Sequence, residues 1–282
     1  MKYAYYPGCS QETTAKEYDQ SVLAVCQALG IELAELPDWN CCGASSGHST
    51  DYWLSHALTG RNLAIAEREG LDMAVVCPAC FLRLRDTRHE FKNEVRLQER
   101  LPELINMPYA AKYEVRHLLD IICNVVGIDK VKEKVKKPLT GLKVVPYYGC
   151  YLVRPPELTG FDDPENPQTM DRLLQALGAE ALDWRGKVDC CGGSLSLTKR
   201  DVVMKLVAGI CESAREVEAE AIVTACGLCH ANLEARQTGE NPLPVFYFTE
   251  LIGLAFGFDA KPWFKKHLIS PFDTLRKHDL LK

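Results

Sequence analysis

Apolar and polar positions along the chain follow two rhythms. Short β-rich runs at residues 3–6, 73–76, 143–148 and 221–224 each lead into a turn of glycine, proline and cysteine. They read as buried strands. Residues 21–29 instead repeat apolar side chains at helical spacing, through Val22, Val25, Cys26 and Leu29, and stop at Gly30, a natural C-terminal cap. Residues 115–127 and 245–257 read as apolar-periodic helices, each with one acid (Asp120, Glu250) and a closing glycine. The stretch 91–137 has no turn-rich break and is expected to be a helical connector that packs against both halves. Strands alternating with helices imply parallel sheets and an α/β fold.

The pattern runs twice. A shift of 149 residues carries Cys41, Cys42, Cys77 and Cys80 onto Cys190, Cys191, Cys226 and Cys229, while Cys9 and Cys150 lie 141 apart. Flanks repeat with them: Gln27 to Gly30 matches Gln175 to Gly178 residue for residue. The eight extra residues of the second copy fall in 154–168, where Pro155, Pro156, Pro164 and Pro167 oppose regular helix or strand. A shared register with matched flanks marks an internal duplication. Two duplicated domains are therefore expected, each a small parallel-sheet unit with helices. The first spans 1–140 with the connector, and the second spans 141–282 with a C-terminal tail.

Composition narrows the chemistry. The 282 residues are 47% apolar and 25% charged with a net charge of −5, which suits a globular protein and gives no basic footprint for nucleic acid. The one basic run, 130–137, also contains Glu133 and reads as a solvated helix face. No segment approaches the ~18–20 apolar residues of a membrane span, and the N-terminus lacks a signal-peptide core. The expectation is a soluble, cytoplasmic protein. In a reducing compartment disulfides do not persist, so thirteen cysteines point to metal or redox work.

Ten of the thirteen form the repeat: Cys9, Cys41, Cys42, Cys77 and Cys80, then Cys150, Cys190, Cys191, Cys226 and Cys229. Each set lies at predicted strand ends or glycine-flanked turns, where ligands gather in open α/β sheets. A tetrahedral zinc site is the plainer alternative, since Cys-x-x-Cys is a common zinc half-site. Adjacent cysteines point to opposite faces of an extended backbone, however, and five sulfurs exceed what one zinc needs. A multi-iron cluster spreads its coordination points and uses vicinal thiolates more easily, so the spacing favours iron–sulfur over zinc. Cys26, Cys123 and Cys211 sit on apolar helical faces and are assigned to the core.

At these positions the sequence resembles the CCG cysteine-rich domain family, and within it the B subunits of heterodisulfide reductases. The residues that carry the likeness are Pro7-Gly8-Cys9, Asn40 to Gly43, Val76 to Cys80, Tyr148 to Cys150, Cys190 to Gly193, Cys226 to Cys229 and the tail from Val115 to Leu119. The resemblance covers nearly the whole chain; its one departure is a spacer of 34 before each Cys-x-x-Cys, slightly short for the family. It implies one non-cubane [4Fe–4S] cluster in each five-cysteine set. It also implies disulfide reduction to two thiols, or the reverse, within a complex that adds two further proteins, one ferredoxin-like and one flavin-bearing. No Gly-x-Gly-x-x-Gly fingerprint is present, so electrons would come from a partner. Two alternatives stay open: a sulfur-oxidising relative acting on a carrier-bound sulfur compound, and an electron-transfer component of a lactate- or glycolate-oxidising complex. The latter proteins often carry a longer Cys-Pro-x-x-x-Cys segment than Cys77-Pro78-Ala79-Cys80.

Other residues are weaker candidates. His48, beyond Cys-Cys-Gly, and His230, next to Cys229, could give a proton to a departing thiolate; loop capping or a solvent-facing ring is the simpler role. Arg154, Lys199 and Arg200 lie near Cys150 and Cys191 in sequence and could clamp an anionic substrate tail. Surface charge balance explains them equally well. Arg83 and Arg85 are read as facing solvent or the ferredoxin-like partner.

Overall fold

A computed structural model describes residues 1–239 and 241–281. Two four-stranded sheets carry the chain. The first contains β1 (Lys2–Tyr6), β2 (Glu32–Glu35), β3 (Met73–Val75) and β4 (Val115–His117) in the order β2-β1-β3-β4. The second contains β5 (Lys143–Tyr147), β6 (Glu180–Ala181), β7 (Ala221–Thr224) and β8 (Val245–Tyr247) in the equivalent order β6-β5-β7-β8. Every pairing is parallel, with Ala4 opposite Met73 in one sheet and Val144 opposite Ala221 in the other. The inner strands are apolar on both faces because helices cover both, and β3 and β7 are buried throughout. In a parallel sheet all carboxyl ends lie on one edge. Cys9, Cys77, Cys150 and Cys226 each follow a central strand by a few residues, so the topology delivers them to that edge.

Residues 115–127 and 245–257, expected to be helical throughout, begin as strands β4 and β8. Three-residue strands are too short to show alternation, and their ladder partners lie far away in sequence. Helix follows only at Leu118–Asp120 and Phe248–Ala255, with a wider π-helical turn at Ile121–Gly127. The stretch 91–137 is helical over Val95–Ile105 and Ile128–Glu133 but not between 106 and 117. Asn106 adopts a left-handed φ of 52° and Pro108 follows, which together end the helix. The proline-rich insertion holds one short turn, Pro156–Thr159, opened by prolines whose missing N–H has no helical partner to lose.

The first crossover helix spans Lys16–Leu29, five residues longer at its start than its apolar period reveals. It closes at Gly30 (φ 71°), whose N–H reaches Cys26 and Gln27 carbonyls. This helix packs on Phe248–Ala255 of the second half: Tyr18, Val22 and Val25 share one buried cluster with Phe248, Leu251 and Ile252. Ser21 and Thr249 hydroxyls meet there at 2.6 Å. Each half keeps a second core on the far side of its sheet, around Tyr6, Leu63 and Phe81 in one and Tyr147, Val203 and Ile222 in the other. Among the described residues no helix is long and apolar enough to cross a membrane.

Candidate functional site

Each Cys-x-x-Cys opens a helix. Cys77 caps Pro78–Asn93 and Cys226 caps Gly227–Arg236, so Cys80 and Cys229 sit in the first turn. Unpaired N–H groups and the positive end of the helix dipole favour thiolate charge there, and the Cys229 N–H points at Cys226 Sγ at 3.4 Å. The Cys-Cys-Gly loops arrive alongside. Cys42 Sγ lies 3.2 Å from Cys80 Sγ, and Cys191 Sγ lies 3.3 Å from Cys229 Sγ. Both separations exceed the ~2.05 Å of a disulfide, and all thirteen cysteines are free.

The vicinal pairs split as their extended backbone dictates: Cys41 and Cys190 are exposed, Cys42 and Cys191 buried. Gly43 (φ 75°) and Gly192 (φ 74°) then turn the chain back, and their N–H groups point at Cys41 Sγ (3.5 Å) and Cys190 Sγ (3.3 Å). Neighbouring thiols shift one another. The neighbouring thiols of Cys41 and then Cys80 lower the pKa of Cys42 to about 4. The Cys150 thiol does the same for Cys190, lowering it to about 6. Cys42 and burial raise Cys41, with nearby Cys9 adding a smaller repulsion, and Cys150 feels Cys190, Cys191 and Cys226. Each predicted quintet therefore comes together.

The two quintets also adjoin. Cys77 is held well below the ordinary thiol value, first by the Cys226 thiol and then by Cys80. The Tyr18 hydroxyl lies within reach of both carbonyls that precede these cysteines, Val76 O at 3.3 Å and Ala225 O at 3.2 Å. His117, which shares the Val76 carbonyl, is fully buried; its Nδ1 accepts from the Leu119 N–H at 3.2 Å, so Nε2 carries the proton and donates to Val76 O at 3.2 Å. Burial lowers the His117 pKa to about 4, which keeps that neutral tautomer.

Several positioning residues were not among the expected set. Tyr6 and Tyr147, matched in the repeat, are buried beside the thiols and hold the Cys-Cys loops by donating to Asn40 O (2.8 Å) and Asp189 O (2.6 Å). Their common shift of 141, the same as Cys9 to Cys150, was a readable signal. Asn62 clamps Asn40 from both sides, and Asn232 donates to Cys191 O at 2.5 Å. Buried Lys187 accepts at its carbonyl from Tyr148 and Gly149 N–H, and its ammonium meets Asp171 at 2.8 Å and Asp183 at 3.1 Å. Gly8 and Gly149 give the thiols room: a Cβ would lie 3.3 Å from Cys80 Sγ and 3.5 Å from Cys229 Sγ.

The remaining candidates divide. His48 is half-buried in the turn Gly47–Thr50, its N–H on Gly43 O at 3.1 Å and its Nδ1 without a partner. His230 is neither a cap nor solvent-facing; it is 4% exposed and stacks on Tyr247 at 4.1 Å. Arg154 is engaged by Pro164 O (2.9 Å) and Glu165 (2.7 Å). Lys199 and Arg200 are exposed and make no ion pair among the described residues. Arg83 pairs with Asp86 at 3.5 Å, and Arg85, rather than facing solvent, donates to Leu158 O of the other half and to Val115 O. Cys26, Cys123 and Cys211 are buried in apolar surroundings that raise all three, Cys26 to about 12 and Cys211 to about 11.

The sequence profile of the CCG cysteine-rich domain matches twice, over residues 3–85 and 144–234. The chain belongs to the CCG cysteine-rich domain family. It is 33% identical over 270 residues to the 8-methylmenaquinol:fumarate reductase membrane anchor subunit of Wolinella succinogenes, covering 92% of this chain and 94% of that protein. It is 31% identical to an Archaeoglobus profundus protein that is itself like the B subunits of heterodisulfide reductases, covering 93% and 92%. The B subunit of the ferredoxin/F420H2-dependent CoB-CoM heterodisulfide reductase of Methanosarcina acetivorans is 29% identical over 91% and 90%. A solved structure of a hypothetical protein from Helicobacter pylori shares the fold with a TM-score of 0.74 at 12% identity; 95% of this CCG chain spans 51% of that one.

Proposed function

We propose that this CCG protein is a redox component of heterodisulfide-reductase type that reduces a disulfide to two thiols, or runs the reverse, at two non-cubane [4Fe–4S] clusters. Cys9, Cys41, Cys42, Cys77 and Cys80 would hold one, and Cys150, Cys190, Cys191, Cys226 and Cys229 the other. The observation that carries the reading is the approach of the two Cys-x-x-Cys turns: one hydroxyl, that of Tyr18, lies 3.3 Å from Val76 O and 3.2 Å from Ala225 O, the carbonyls just before Cys77 and Cys226. Disulfide cleavage consumes two electrons and two protons, whereas such clusters move one electron each. Two adjoining one-electron centres match that demand. The donor set fits the group: five sulfurs per site, backbone N–H groups on three of the ten, and glycines where a side chain would crowd the thiols.

The chain's own residues shape the site on two sides. Tyr18, His117 and Tyr247 fill the buried side behind Cys77 and Cys226 and keep water from it. Cys9, Cys41 and Cys190 are exposed and define the open side from which a substrate reaches the thiols. Lys199 and Arg200, exposed beside the second loop, would meet an anionic tail; Arg154, already engaged by Glu165, is less suited. A ferredoxin-like partner and a flavin-bearing one would complete the complex, in the cytoplasm.

Anaerobic protein is expected to contain about eight irons per chain with matching acid-labile sulfide. Cys42→Ala and Cys191→Ala should each remove about half of that iron, and a reduced viologen should drive turnover of a disulfide such as the CoB-CoM heterodisulfide. Equal and total iron loss from both variants, or zinc with no sulfide, overturns the proposal. The Wolinella relative favours a second reading, an electron relay within a larger oxidoreductase. Full iron with no turnover of any disulfide in a panel would select that relay.

A further inference from the structure

Outside the thiol sites, three ligating atoms converge in the interior of the second half. His230 and Glu234 stand one turn apart on the helix Gly227–Arg236, and His267 follows the short helix Lys261–Phe264. Their side chains are 5%, 2% and 0% exposed. His230 Nε2, Glu234 Oε1 and His267 Nδ1 all lie within 4.8 Å of one another, with Glu234 Oε1 3.5 Å from His267 Nδ1 and 4.0 Å from His230 Nε2. None of the three atoms has a hydrogen-bond partner. Three orphaned polar atoms at one buried point call for an occupant, because each alone is costly to desolvate.

The far ends of the same side chains are all engaged, and in the sense that turns lone pairs inward. His267 Nε2 lies 2.9 Å from Glu250 Oε1, so its proton sits there and Nδ1 is left basic. The His230 ring also meets the Val245 backbone, and Nε2 is its buried atom without a partner. Glu234 Oε2 accepts the Leu268 N–H at 2.8 Å, and Glu250 Oε2 accepts the Tyr247 N–H at 2.9 Å. A carboxylate behind a histidine, aligning the opposite nitrogen, is the usual outer support of a metal ligand.

We propose that His230 Nε2, Glu234 Oε1 and His267 Nδ1 hold one divalent transition-metal ion, with Zn²⁺ the best match. Two imidazoles and a carboxylate are a borderline donor set suited to zinc. Tetrahedral zinc with bonds of about 2.0–2.1 Å would space its ligands about 3.4 Å apart. The Glu234–His267 separation already meets this, and side-chain shifts of about an ångström bring in His230. Charge argues the same way. Glu17, Glu234 and Glu250 all act on His267, and among the described residues the ion pairs of Glu234 and Glu250 are with histidines alone. Burial without a cation raises Glu234 to about 7.

The site is particular to the second half. In the register of 149 the counterparts of His230 and Glu234 are Phe81 and Arg85, so it is no remnant of the duplicated cysteine chemistry. Its ion would tie the C-terminal segment to the helix that begins with Cys226 and Cys229.

The test uses the anaerobically purified full-length chain with its clusters, and its outcome does not depend on the disulfide reaction. Multi-element mass spectrometry should find about one divalent ion per chain beyond the cluster iron, and its X-ray absorption edge should show nitrogen and oxygen neighbours near 2.0 Å without sulfur near 2.3 Å. Glu234→Gln and His267→Gln should lose that ion at unchanged iron and sulfide, whereas Cys191→Ala should lose iron and keep it. The absorption measurement on the unaltered protein stands even if a variant fails to fold. A sulfur shell would assign the ion to the thiol sites and overturn the proposal. So would an unaltered chain that holds no such ion after growth in zinc.

Discussion

Replacing Lys187 with methionine isolates one buried ion pair that supports the second thiol site. The ammonium is 3% exposed, sits 2.8 Å from an Asp171 carboxylate that is 6% exposed, and is also held by Asn166 Oδ1 at 3.1 Å. Asp183, the second acid, is 86% exposed, and its share is that of a surface pair, about 0–1 kcal/mol. Removing one partner of a buried pair leaves an uncompensated charge and costs about 3–5 kcal/mol. Asp171 would keep the Tyr148 hydroxyl at 2.7 Å, so the lower end applies, about 3 kcal/mol or a factor of about 150 in the folding equilibrium. Urea unfolding of the anaerobic chain measures it. Asp171→Asn in the Lys187→Met background should recover part of the loss, because no buried charge is then stranded. Iron should leave the second site first, since Lys187 O anchors the N–H groups of Tyr148 and Gly149, just before Cys150. A loss below about 1 kcal/mol, or strictly additive single and double variants, would refute this account of the pair.

Gly8 combines φ 75° with ψ 166°, a backbone region essentially reserved for glycine. Gly8→Ala should cost about 1–3 kcal/mol and deplete first-site iron, whereas Gly30→Ala, with open space around it, should cost about 1–2 kcal/mol and leave iron intact. His117 supplies a pH signature. Its pKa falls from 6.5 when unfolded to about 4 when buried, so the unfolded chain binds the extra proton between those values. Stability is then full above pH 6.5 and declines as pH falls towards 4, by up to about 1.4 kcal/mol per unit. Titrating unfolding midpoints of wild type and His117→Asn should show that slope flattened in the variant.

The thiol sets were legible because duplication prints the same cysteines twice at the same spacing. Strand ends at Tyr6 and Tyr147 were legible too, since glycine and cysteine turns follow them. β4 and β8 were not: Val115 to His117 and Val245 to Tyr247 run straight into apolar helices, and only their distant ladder partners make them strands. The role of His230 was hidden for a similar reason. Glu234 is visible four residues on, but His267 and Glu250 join it only through folding. Arg85 read as a surface charge because Leu158, its acceptor, belongs to the other half. Nothing local announces that the turns of Cys77 and Cys226 share the Tyr18 hydroxyl, because that depends on how helix Lys16–Leu29 docks on Phe248–Ala255.

The aromatic seat behind that meeting point is one-sided. Tyr18 stacks on Tyr247 at 4.1 Å, yet the position matching Tyr247 in the first half is His117. The halves are thus no longer interchangeable modules. A chain made by fusing two copies of the first half would lack the ring pair, and its two Cys-x-x-Cys turns would have no common wall to lean on.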